Sequence, residues 1–194
     1  MALGTVRVLG IGGSTRQDSS SERALRVAAA AAARAGATVE LITGRHLVLP
    51  MYDPDHPIRT DTAAAFVRAL RRADALLISS PGYHGTVSGL MKNAIDYAED
   101  LRDDARPYLT DVPVGCIAVA DGWQASVSTL NTLRTCVHAL RGWPSPLGAT
   151  LNVAGPVFDR ATGACVDQQA RDQLETVARQ VVWAAATRLP YVTR

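Results

Sequence analysis

The sequence predicts an α/β domain, a three-layer sandwich in which a five-stranded parallel sheet carries helices on both faces. Three observations predict it. Short β-branched apolar runs alternate with longer segments of helical period along all 194 residues, the pattern of strands joined by crossover helices. The length suits one domain with a full core, and no repeat or linker-like stretch interrupts it, so residues 1–194 are taken as a single domain. The first apolar run ends in Gly12-Gly13 and passes through a serine-rich stretch into a helix start.

The elements follow in order. Residues 5–11 form the first strand. Ser19 and Glu22 have capping-box spacing and open a helix through the alanine run to Gly36, a natural left-handed stop. Residues 38–42 form the second strand, and residues 44–57, with three prolines, a long connection. The second helix, 61–73, presents Ala65, Phe66, Ala69 and Leu70 on one face. A strand at 75–79 and a helix at 86–101 come next. A fourth strand spans 112–120, and a fourth helix spans 126–141 and is closed by Gly142. A fifth strand lies at 149–153, and the last helix runs over 167–189 from an Asp167 cap. This alternation fits the flavodoxin-like strand order 2-1-3-4-5. Ligands of such sheets bind beyond the carboxyl ends of the strands, where the order reverses. That places a site on the loops after Ile11, Ser79 and Ala120.

Composition narrows the partners. A formal charge of +2 makes no field for nucleic acid or a membrane surface, and it differs from the strong acidity usual in electron-shuttling carriers. Cys116, Cys136 and Cys165 are isolated, with no metal-ligand spacing, and read as reduced thiols of a cytoplasmic protein. The start of the chain lacks a signal-type pattern, and the alanine run is too short to span a bilayer.

The first loop holds Ser14, Thr15, Arg16, Ser19, Ser20 and Ser21. Free amides and the positive end of a helix dipole meet there, and hydroxyls with one forked cation suit a terminal phosphate monoester. A helix cap that binds nothing is the plain alternative. A dinucleotide loop is the rival, but the third position of its glycine pattern is occupied by Thr15. The second loop holds Pro81, Gly82, Tyr83, His84 and Gly85, a backbone path able to aim amides at the edge of a flat heterocycle; an ordinary tight turn has the same composition. The third loop, Asp121, Gly122 and Trp123, offers an indole to wall a ring face or to meet another subunit.

Gly13-Ser14-Thr15-Arg16 with Ser19 resembles the phosphate loop of the NADPH-dependent FMN reductase family. Residues 80–96 resemble that family's second motif, P-x-Y-N-G followed by G-x-x-K-N-A-x-D, and residues 49–55 resemble its second connection. The resemblance implies non-covalent FMN, NADPH or NADH as donor, a small acceptor such as free flavin, a quinone, an azo or nitro compound or an oxidised metal, and a homodimer or dimer of dimers. It implies no catalytic side chain, since flavin and nicotinamide carry the chemistry. Ser21 and His84 stand where the family often has Asn, Gly82 where it often has Glu, and Asp121 and Trp123 replace small residues. These departures leave open a biosynthetic reductase acting on a polyketide- or quinone-like intermediate, a flavodoxin-type carrier, and a non-enzymatic regulator. The third helix carries Val87, Leu90, Met91, Ala94 and Ile95 over a wide arc, one part of which is expected to meet a second subunit. Lys92 and Asp96 are expected to pair, Asn93 to tether a loop, and Asp53, Asp55 and His56 to lie in a solvated loop. His84 is placed at a helix start, where the dipole keeps its imidazole neutral; it either donates to the ring edge or acceptor or faces solvent.

Overall fold

The structure is a computed structural model that describes residues 5–192, with side chains described through residue 187. Its elements are β1 (Arg7–Gly12), α1 (Ser20–Arg34), β2 (Thr38–Ile42), α2 (Asp61–Arg72), β3 (Ala75–Tyr83), β4 (Thr86–Val87), α3 (Gly89–Asp96), β5 (Pro113–Ala120), α4 (Trp123–Ala139), β6 (Trp143–Pro144), β7 (Ala149–Asn152) and α5 (Gln168–Val192). Parallel pairing runs β2-β1-β3-β5, and both β6 and β7 pair with the far side of β5. The five positions of the predicted order are therefore present.

The fifth position is split. Trp143 and Pro144 pair with Pro113 and Val114, and Ala149–Asn152 with residues 117–120. Pro144, at the end of the first piece, and Pro146, between the two, lack ladder donors. Ser145 N donates to Val114 O at 2.8 Å, and its hydroxyl to Leu147 O at 2.7 Å. The sequence predicts a single strand at 149–153; the two-residue piece before it carries no signal of its own.

Strand side chains alternate between two cores, as the two-residue period requires. Leu9, Ile11, Leu76, Ile78, Val114 and Cys116 face α2, α3 and α4. Val8, Ala75, Leu77, Ile117 and Val119 face α1 and α5. The alanines of α1 serve this second layer: Ala24, Ala28 and Ala32 are wholly buried, so the helix lies close to the sheet and against α5. On α2 the buried stripe is Ala63, Phe66, Val67, Ala69 and Leu70, so Phe66, Ala69 and Leu70 lie on the expected face and Ala65 alone of that set is exposed.

Caps set several ends. Ser19 Oγ accepts from Glu22 N, and Asp167 Oδ1 from Ala170 N at 2.9 Å. Gly36 has φ +91°, the left-handed stop its position after α1 implied. At the end of α4 that conformation falls to Arg141 (φ 64°). Gly142 is needed there for close packing, since an added Cβ would sit 2.9 Å from Val137 Cγ1. The expected helix over 86–101 breaks into β4, α3 and a 3-10 turn, Tyr97–Leu101. Ser88 starts α3 by accepting from Met91 N at 3.1 Å. All three cysteines are free, and burial pushes the Cys116 thiol up to about 12.

Candidate functional site

Register brings the three loops to one end of the sheet. Gly12 lies beside Ser79, Ser79 beside Ile117, and Pro81 beside Val119. The segments after β1, along the end of β3 and after β5 thus leave from adjacent strands.

The first loop is held open by its own bonds. Gly13 N donates to Ser79 O at 2.8 Å, Arg16 N to Ser14 Oγ at 3.2 Å, and Ser19 N to Arg16 O at 3.3 Å. Among the described residues, no acceptor pairs with the amides of Ser14, Thr15, Gln17, Ser20 or Ser21. Ser20 and Ser21 begin α1, where orphan donors and the positive dipole coincide. Glu22, the capping-box acid, is buried; its Oε2 accepts from Asp18 N at 3.1 Å, one residue before the cap itself. Arg26 donates to Asp18 at 2.6 Å and Glu22 at 2.8 Å, compensating both carboxylates. Arg16 is exposed, and its guanidinium has no partner among the described residues. The loop therefore has one uncommitted cation, several uncommitted amides and acids whose charge is already met, the donor set that a phosphate monoester needs.

Serines missed by the sequence reading join the first loop to the second. Ser79 Oγ donates to Ser21 O at 2.8 Å, Ser88 Oγ to Gly13 O at 2.6 Å, and Ser88 N to Ser80 Oγ at 3.1 Å. All three hydroxyl residues are buried. Their signal was two consecutive serines at the end of an otherwise apolar strand.

The second loop is a β-hairpin. β3 continues through Pro81, Gly82 and Tyr83, and pairs Gly82 with Val87 and Tyr83 with Thr86. His84 and Gly85 are the two turn residues, with φ 52° and 84°, the two positive values that a type I′ turn demands. This corrects the placement of His84 at a helix start. α3 begins five residues later, so its dipole does not act on the imidazole, and the ring is exposed. Asn-Gly is the favoured pair for such a turn, which accounts for the residue the family usually has there. Thr129 Oγ1 donates to Thr86 O at 3.2 Å and pins the hairpin to α4. An added Cβ on Gly82 would meet Thr129 Oγ1 at 2.6 Å and Ala125 O at 3.2 Å. A side chain at Gly82 requires the Thr129 hydroxyl to turn away and the α4 backbone to give slightly, which disfavours the glutamate often found there.

In the third loop, Gly122 caps α4 at φ +131°, and the helix starts at Trp123, three residues earlier than expected. Trp123 is 57% exposed and Tyr83 55%, two large apolar rings left open at the same end of the sheet. Asp121 is exposed beside them.

Other singled-out residues are structural. Lys92 Nζ lies 2.6 Å from Asp96 Oδ1 on the surface. Asn93 ties down the second connection: its Oδ1 accepts from Tyr52 N at 2.8 Å, and its Nδ2 donates to Pro50 O at 2.9 Å. Asp53 accepts from Asp55 N and meets His56 Nδ1 at 2.9 Å in an exposed turn. A gap between the sheet and α2, α3 and α4 is lined by apolar side chains and Cys136.

A parallel sheet of this order with an anion cradle at its first βα turn defines a flavodoxin-like protein. The solved structures agree on the fold. The Paracoccus denitrificans flavoenzyme NAD(P)H:(acceptor) oxidoreductase FerB superposes with a TM-score of 0.78 at 20% identity, over 94% of this chain and 98% of that one. RosB, solved with bound 8-demethyl-8-formylriboflavin-5′-phosphate, gives 0.74 at 14% identity, over 95% and 80%. In sequence, an NAD(P)H-dependent FMN reductase of Pseudomonas aeruginosa is 30% identical over 175 residues, 88% of this chain and 90% of that protein. An FMN-dependent NADPH-azoreductase of Staphylococcus haemolyticus is 35% identical over 81 residues, 42% of this chain and 39% of that protein. The model of the NADPH-dependent FMN reductase family matches residues 6–156. The chain belongs to that family. It is an FMN-dependent oxidoreductase with a reduced nicotinamide as electron donor. No helix among the described residues is long and apolar enough to cross a membrane.

Proposed function

We propose that the whole chain acts as one FMN-binding domain, with the cofactor phosphate held by Ser14, Thr15, Arg16, Ser19, Ser20 and Ser21. The backbone of Pro81, Gly82, Tyr83, His84 and Gly85, with Asp121, Gly122 and Trp123, borders the ring. Bound FMN supplies the hydride-accepting and electron-donating chemistry. The residues of this chain bind, orient and exclude water. The amides of the first loop and the start of α1 neutralise the phosphate. The hairpin holds Tyr83 at the mouth of the site, and Trp123 flanks the entrance for nicotinamide and acceptor. Glu22, the buried acid among these loops, is committed to Arg26, and the reading asks no side chain to move a proton, since flavin and nicotinamide carry the chemistry.

The observation that carries this reading is the uncommitted Arg16 beside five amides without acceptors. Arg16→Ala should weaken FMN binding by about 1.5–3 kcal/mol, the range for a charged hydrogen bond, and riboflavin binding far less. Equal losses for the two flavins would contradict the assignment.

The acceptor is a small molecule: free flavin, a quinone, or an azo or nitro compound. The azoreductase relatives support the azo class for a shared stretch of chain. A specialised acceptor, polyketide- or quinone-like, is favoured by one feature. At Gly82 the usual carboxylate is replaced by the approach of α4, which leaves this loop without that charge. A net charge of +2 supports no nucleic-acid partner. Three free cysteines, two of them buried, fit a cytoplasmic protein. A homodimer or dimer of dimers is supported by Leu90 and Ile95 of α3, which remain partly open while Met91 and Ala94 are buried.

A further inference from the structure

A second concavity adjoins the phosphate loop. It holds about 390 Å³ and lies between the outer stripe of α1 (Arg23, Arg26, Val27 and Ala30) and the tip of the hairpin over residues 157–166 that follows β7. Asp18 belongs to both the phosphate loop and this groove, so the two are continuous. The hairpin tip is rigidly built. Gly163 N donates to Asp159 O at 2.9 Å, Gly163 has φ +72°, and Asp159 Oδ1 accepts from Ala161 N, Thr162 N and Thr162 Oγ1.

Its two arginines differ. Arg26 is spent on Asp18 and Glu22. Arg23 forms no ion pair among the described residues. Its Nη1 donates to Asp159 O at 3.1 Å, and its Nε is buried without a partner. A half-buried guanidinium with spare donors fits a phosphate dianion. Val27, Ala30, Ala161 and Ala164 give flat apolar walls beside it, and the volume is that of a small-ligand site. The donor of this family carries a moiety of that chemistry, a purine riboside bearing a 2′-phosphate.

We infer that this groove receives the adenosine end of NADPH and that Arg23 reads its 2′-phosphate, making Arg23 the residue that favours NADPH over NADH. The inference rests on the proposed placement of FMN in the neighbouring loop. The nicotinamide then reaches the ring end of the site while the adenosine lies across the start of α1.

Calorimetric titration of the FMN-loaded protein with adenosine 2′,5′-bisphosphate and with 5′-AMP tests it. The wild type should bind the bisphosphate at least about ten-fold more tightly, and Arg23→Gln should remove that preference, as loss of a charged hydrogen bond requires. Ala30→Phe, at an exposed position, should fill the groove and weaken both nucleotides. Its result decides the matter should Arg23→Gln fail to fold. FMN affinity, measured separately, should be unchanged in both variants. A wild type that loads FMN but does not distinguish the nucleotides, or variants that leave nucleotide affinity unaltered, overturns the inference alone. A wild type that cannot load FMN overturns the placement of FMN, and the inference with it.

Discussion

His84 occupies a backbone conformation that costs most residues about 1–2 kcal/mol, and Asn tolerates it better because its short amide bonds locally. His84→Asn should therefore keep or raise thermal stability. His84→Ala should lower it by about 1 kcal/mol, a fall of roughly 2–4 °C for a chain of this length. Thermal unfolding of the FMN-loaded protein reads both. If the imidazole also orients the acceptor, both variants lose rate in the oxidative half-reaction although one is the more stable. A stable Asn variant with full turnover on every acceptor confines His84 to a turn role. The hydroxyls and the arginine of the first loop were legible in the sequence because their type announces their chemistry. The neutralising role of Arg26 was not, because it depends on Asp18 and Glu22 turning toward it in space. Gly82 was noticed as a missing carboxylate. Only packing reveals that α4 has taken its room.

Among the elements, α3 gives the sharpest contrast between two adjacent polar residues. Asn93 is buried and serves Tyr52 N, Pro50 O and Leu49 O. Lys92 and Asp96 pair on the surface. Asn93→Ala should cost about 1–3 kcal/mol, because buried groups of the second connection lose their partners. Lys92→Ala should cost only about 0.5 kcal/mol or less, as exposed i,i+4 pairs do. Chemical denaturation of the two variants checks the ratio, and similar losses would contradict the structural roles given to them. Strand and helix types were legible here from period and caps, but boundaries were not. The run from Thr86 reads as helix because Val87, Leu90, Met91 and Ala94 recur at helical spacing. The antiparallel pairing of Gly82 and Tyr83 with Val87 and Thr86 is a tertiary fact that overrides that local pattern. The split fifth strand was hidden for a related reason: two residues at β6 pair with β5 only because the sheet already exists.

For the whole molecule, the alternation of elements fitted the sheet order that the structure shows, and topology then told which loops meet. Assembly does not follow from one chain, since the arc on α3 is largely used by the chain's own core. The proposed assembly predicts a dimer or tetramer by light scattering at micromolar concentration, and a stable monomer would contradict it. The central claim, that this chain takes hydride directly from a nicotinamide and passes electrons to a small molecule, is tested most directly by anaerobic stopped-flow absorbance. FMN-loaded protein mixed with NADPH should bleach rapidly without any partner protein, and mixing the bleached protein with a quinone, an azo dye or free flavin should restore the oxidised spectrum. Bound flavin that stays oxidised with both NADPH and NADH, and bleaches only when a separate reductase protein is added, would contradict it.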